Sequence, residues 1–194
     1  MKPRKERRAQ RRRSRATVRE AQTKDLLNVL AAQGDVLSGF FQPRGREAVL
    51  FPGADDSVRE HEMVHSEQYG PLRALLDLGR VQDRDTRRSM RGITKGMAQE
   101  DYNSLDEEGF SPLKYMMDDP KEFEAILRSS VNSPEAQGVD FNQDFDSILE
   151  SLSSMPEQGT NTNIRLLRKA MSEGDLSEEQ KDLFLRAIRS NLRS

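Results

Sequence analysis

The only two histidines of this chain fall within five residues of each other, in His61-Glu62-Met63-Val64-His65. On an α-helix, residues four apart share a face, so both imidazoles can reach one metal ion. Glu62 follows the first imidazole and is placed to touch a metal-activated water rather than the metal itself. Zinc lowers the pKa of such a water toward neutrality. A neighbouring carboxylate can then accept its proton and later pass it to a leaving amine. The chemistry this pattern fits is peptide-bond hydrolysis at one Zn2+ ion, with His61 and His65 as ligands and Glu62 as general base and acid. Two histidines scattered at random over this length, with a Glu directly after the first, would match the pattern about once in 1,000 sequences. The competing reading is a surface helix carrying two solvated histidines.

A catalytic zinc site needs a third protein ligand and leaves one position for water. The chain has no third histidine and no cysteine, so a complete site requires a carboxylate. The motif resembles that of zincin-type metallopeptidases. The ligand types resemble the gluzincins, in which a glutamate comes from a later helix. Glu122-Phe123-Glu124-Ala125 resembles the Glu-x-x-Ala pattern on the glutamate helix of minimal gluzincins and related membrane-anchored peptidases. This resemblance implies Glu122 as the first choice of third ligand and Glu124 as the second. Glu122 also sits where a capping-box glutamate would, so both roles stay open. In a small gluzincin the active-site helix follows a strand whose edge pairs with an extended substrate, which points to Ala48, Val49 and Leu50 as substrate-binding residues. Gln68 falls on the side of the motif helix near Glu62 and His65 and is placed to support the site. Tyr69 reads as core, and Tyr102 and Tyr115 are candidates for stabilising an oxyanion.

These residues need a helix beneath them, and residues 57–70 carry its punctuation. Ser57-Val58-Arg59-Glu60 fits a capping box, and Asp55 and Asp56 place negative charge at the positive helix end. Gly70-Pro71 closes the segment, which predicts a helix over residues 58–69. Upstream, residues 36–42 and 47–51 read as strands around the turn-forming Pro43-Arg44-Gly45-Arg46. From Val18 the pattern reads as helical, with Leu26, Leu27, Leu30 and Ala31 on one face and Gly34 as a stop.

Downstream, a short helix is predicted over residues 71–78, and Met90, Ile93 and Met97 are helically spaced. Asp119 and Pro120 read as N-cap and first residue of a helix bearing Phe123, Ile126, Leu127 and Val131. The polar stretch 129–163 holds a predicted helix over 141–152. Amphipathic segments at 164–171 and 177–192 end the chain, the latter opening on a capping box from Ser177 to Gln180.

The net charge of −2 conceals a split: residues 1–20 carry ten Lys/Arg and two Glu, leaving 21 basic and 31 acidic residues in the rest. Like charges this dense repel, so residues 1–17 read as a disordered arm. Such an arm can neutralise phosphates without reading sequence, with Arg11, Arg12 and Arg13 as nucleic-acid-binding candidates, or it can dock on an acidic protein surface. The absence of cysteine excludes disulfides, thiolate zinc sites and cysteine nucleophiles. The longest nearly apolar stretch, Leu26 to Ala32, is far short of a membrane span, and the Arg-rich start lacks the apolar segment of a signal peptide, which points to a cytoplasmic or virion-associated protein and suits a bacteriophage protein.

The sequence therefore predicts a predominantly helical α+β fold with a small sheet or hairpin, an HExxH helix and a second glutamate helix. Its expected organisation is a basic arm over 1–17, a zincin-like core over 18–128, and a polar linker with C-terminal helices over 129–194. The expected activity is that of a zinc metalloendopeptidase acting on a peptide or protein. The alternative is a virion structural or nucleic-acid-binding protein in which the zincin-like core is only a scaffold.

Overall fold

The run Ala48-Val49-Leu50 is apolar without alternation, as suits a strand covered on both faces, and it forms the middle of a small sheet. The computed structural model describes residues 11–13, 15–22, 39–42, 46–68, 84–96, 112–157, 160–173 and 176–192. Strands β1 (Thr17–Glu20), β2 (Gly39–Gln42) and β3 (Glu47–Leu50) are ordered β1-β3-β2. The predicted hairpin forms, with β2 antiparallel to β3 and Phe41 opposite Ala48. Arg46, in its connecting turn, takes a positive φ of 56°.

β1 was not foreseen. Val18, read as the start of a helix, instead pairs in parallel with Ala48. The β-branched Thr17 and Val18 suit a pleated surface, and pairing with β3 satisfies backbone groups that a lone arm would leave to water. Residues 11–13 and 15–17, expected to be part of a disordered arm, are thus tied to the sheet. The predicted helix beyond residue 22, with Leu26, Leu27, Leu30 and Ala31, lies outside the described residues. β1 also overturns the substrate-edge expectation. With a neighbour on each side, Ala48, Val49 and Leu50 have no open edge for a peptide, and Ala48 and Val49 are fully buried.

Helix α1 (Asp56–Gln68) packs on β2 and β3. Gly39 permits the close approach: a Cβ there would lie 3.0 Å from both the Val49 carbonyl and Val58 Cγ1. The helix starts two residues earlier than the sequence suggests, because Asp55 rather than Ser57 caps it. The Asp55 carboxylate accepts from Ser57 N at 2.9 Å, Val58 N at 3.1 Å and Ser57 Oγ at 2.5 Å. One acceptor thus satisfies two amides of the first turn and a hydroxyl. Asp55→Ala is expected to cost about 1–2 kcal/mol, at the upper part of the range for a lost N-cap, read from the urea midpoint at constant slope.

The chain divides into two compact units, 1–78 and 79–194. The second is all-helical among the described residues: α2 (Arg84–Gly96), α3 (Pro112–Asp118), α4 (Pro120–Val131), a 3-10 turn (Pro134–Gly138), α5 (Phe145–Ser153), α6 (Thr162–Ser172) and α7 (Glu178–Asn191). The chain as a whole is a predominantly helical α+β protein. The boundary expected after residue 128 falls inside this unit, within α4. Helices α6 and α7 both pack on α4, because the polar-looking stretch after residue 129 supplies Phe141, Phe145, Ile148, Leu152, Ile164 and Leu167 to the same core as Phe123, Ile126 and Leu127. Phe184 sits among them, edge-on to Phe123 at 5.7 Å and to Phe145 at 6.0 Å between ring centroids. α5 begins at Phe145 rather than at residue 141, where Asp144 accepts from Ser147 N at 2.9 Å. Those Ser147 hydrogen bonds hold the Asp144 carboxyl below its ordinary pKa. The capping box of α7 is as predicted, with Ser177 N donating to Gln180 Oε1 at 2.8 Å and Gln180 N to Ser177 Oγ at 3.3 Å. The helix predicted over 71–78, and Met97, lie outside the described residues. Among the described residues, no helix is long and apolar enough to cross a membrane.

Candidate metal centre

Helix α1 is buried over most of its circumference, unlike a solvated surface helix. His61, Glu62 and His65 are 8%, 5% and 6% exposed. The competing reading of two solvated histidines therefore fails, and buried imidazoles need partners. They find them in each other and in Gln68. The Nε2 atoms of His61 and His65 lie 3.1 Å apart, with the rings edge to face at 4.7 Å between centroids. His65 Nδ1 lies 2.8 Å from Gln68 Oε1, one helical turn further on, as the sequence suggested for Gln68.

This spacing is what a shared ion requires. Two nitrogens each about 2.0–2.1 Å from a tetrahedral zinc are about 3.3–3.4 Å apart, so the imidazoles need separate by only a few tenths of an ångström. The pair fits a metal by position, by ligand type and by burial.

The opposite flank of α1 is held by residues that the sequence assigned to nucleic acid. Arg13 bridges Glu60 and Glu67, two turns apart, with 3.2 Å to the Glu67 carboxylate. Arg12 donates to the Glu67 carbonyl at 3.0 Å, and Arg46 donates to the Arg12 carbonyl at 2.8 Å. Partial burial by itself would lower the Arg13 pKa, but the hydrogen bonds and charges of Glu60 and then Glu67 outweigh it and hold the guanidinium above its ordinary value. Arg12 and Arg13 therefore serve the fold of the first unit, while Arg11 is exposed. Glu60, read as a capping-box partner, is instead drawn to this guanidinium.

No family model, curated protein or solved structure matches the chain. What it can do is read from its own residues.

The carboxylate candidates belong to the second unit. Asp119 caps α4, accepting from Lys121 N at 2.8 Å, and Pro120 occupies the first turn, as predicted. Glu122 follows in that turn, half-buried, with its Oε2 accepting from the Tyr115 hydroxyl at 3.2 Å. Tyr115, a candidate for stabilising an oxyanion, is thus an orienting partner of Glu122. Glu124, the second choice, is only 2% exposed. His61 and His65 belong to the first unit and Glu122 to the second; each is of a type that ligates metal ions, the imidazoles through nitrogen and the carboxylate through oxygen. Tyr69 and Tyr102 lie outside the described residues. Sequence reasoning missed the Asp55 cap, the Arg13 clasp and the Tyr115–Glu122 bond. The first was signalled by an Asp two residues before Ser57, whereas the other two join residues far apart in the sequence or on different helices.

Proposed function

We propose that this protein is a zinc metallopeptidase of the HExxH type. The observation that carries the reading is the buried His61–His65 pair with its Nε2 atoms 3.1 Å apart. In this reading His61 and His65 hold the ion and Glu122 completes the set, with Glu124 as the alternative. Tyr115 steadies the Glu122 carboxylate. Bound zinc supplies a Lewis acid that polarises a peptide carbonyl and acidifies water. Glu62, buried one residue after His61, takes the proton of the attacking water and returns it to the departing amine. Its burial excludes bulk water from that transfer. Residues 48–50 lie in the central strand and offer a substrate no edge to pair with.

The test is metal content. Purified protein reconstituted with zinc and dialysed is expected to hold one ion per chain by mass spectrometry of the metals. His61→Ala and His65→Ala are expected to lose it, because two protein ligands cannot match three. Glu122→Ala is expected to weaken binding more than Glu124→Ala. A wild-type protein without stoichiometric zinc would overturn the proposal.

A further inference from the structure

We propose that Gln68 is the positioning residue of this centre, fixing the tautomer of His65 so that its Nε2 lone pair is presented to the metal. The inference rests on the metal-centre reading above and extends it to a residue outside the motif. A neutral imidazole has one N–H donor and one bare acceptor nitrogen, and the partner of one nitrogen decides the state of the other. The Gln68 Oε1 atom, 2.8 Å from His65 Nδ1, can only accept, so Nδ1 carries the hydrogen and Nε2 is bare. That bare nitrogen is the one turned toward His61 Nε2 at 3.1 Å. In the metal-free pair the hydrogen between the two Nε2 atoms then belongs to His61, which donates to the bare Nε2 of His65.

Three features make Gln68 suited to this. It is 2% exposed and His65 is 6% exposed, so bulk water competes weakly for Nδ1. It is three residues beyond His65, on the same face of the last turn of α1. It belongs to the same helix as both imidazoles, so helical periodicity sets its position relative to His65. A glutamine also performs the task without adding a carboxylate beside the site. Partners of this kind on a ligating histidine are generally worth about 10–100-fold in metal affinity.

The experiment uses the full-length protein, labelled with 15N, and reads two quantities. Long-range 1H–15N correlation spectra of the metal-free protein report which ring nitrogen of His65 carries the hydrogen. Competition with a chromophoric chelator reports the affinity for Zn2+. The wild type is expected to show the Nδ1–H tautomer. Gln68→Met, which keeps the length of the side chain and removes the acceptor, is expected to lose that preference and bind zinc about 10–100-fold more weakly. Gln68→Glu restores an acceptor and is expected to recover both tautomer and affinity. A wild-type His65 carrying its hydrogen on Nε2 overturns the proposal even if the methionine variant does not fold. Zinc-binding wild type with an unchanged Gln68→Met overturns the role of Gln68 alone. A wild type that binds no zinc overturns the metal-centre reading and this role with it.

Discussion

Glu62→Gln is expected to keep its zinc and to lose peptide hydrolysis by about 10²–10⁴-fold, the usual contribution of a positioned general base and acid. That loss corresponds to roughly 3–5 kcal/mol of transition-state stabilisation at 1.36 kcal/mol per decade. The substitution changes one oxygen to an amide nitrogen at nearly constant volume, so the packing around a residue only 5% exposed is preserved. An amide cannot take a proton from water at neutral pH, and the step assigned to Glu62 is therefore the one removed. His61 and His65 are untouched, so metal content should match wild type. Turnover of a mixture of quenched-fluorescent peptides, with zinc measured on the same samples, separates the two effects. Equal turnover at equal zinc would remove Glu62 from its role.

Phe123→Ala is expected to destabilise the helical unit by about 3–5 kcal/mol, the range for deleting a fully buried aromatic ring. Phe123 is completely buried and meets Phe184 edge to face at 5.7 Å, a contact that adds about 0.5–1.5 kcal/mol to area burial. The ring sits on α4 and Phe184 on α7, so the cavity would open between two helices far apart in the sequence. The loss should appear as a lower urea midpoint by far-UV circular dichroism at constant slope. A change below about 1 kcal/mol would mean that neighbouring side chains collapse into the space, contrary to a close-packed core. Typical domains are stable by only 5–15 kcal/mol, so this one substitution removes a large fraction of the total.

Local signals were legible from the residue order. The β2–β3 hairpin, the Asp119-Pro120 start of α4, and the Ser177–Gln180 box of α7 each depend on groups within a few residues of one another. The HExxH spacing belongs with them, since four residues on a helix always bring two side chains to one face. The fact that Gln68 lies beside His65 follows from the same periodicity.

Where the reading departed from the structure, a distant partner had decided the outcome. Thr17 to Glu20 are too few and too charged to announce a strand, and only β3 makes them one. The same pairing turned Ala48 and Val49 from an edge into a centre, because an edge is a property of neighbours rather than of residues. Arg12 and Arg13 looked like part of a phosphate-binding arm until α1 placed Glu60 and Glu67 two turns apart on one flank. The polar stretch after residue 129 looked like a linker because its buried residues are spread thinly along the chain. They converge only when α6 and α7 pack on α4 and α5 packs on α6 and α7.

For the candidate site the division is the same. Composition alone restricted any metal ligands to histidine and carboxylate, since the chain has two histidines and no cysteine. Helical spacing paired the two imidazoles. Their burial, their 3.1 Å separation and the acceptor behind His65 came from packing. Periodicity along a chain can say which side chains share a face, but only the elements packed against that face decide whether water reaches it and which atoms meet there.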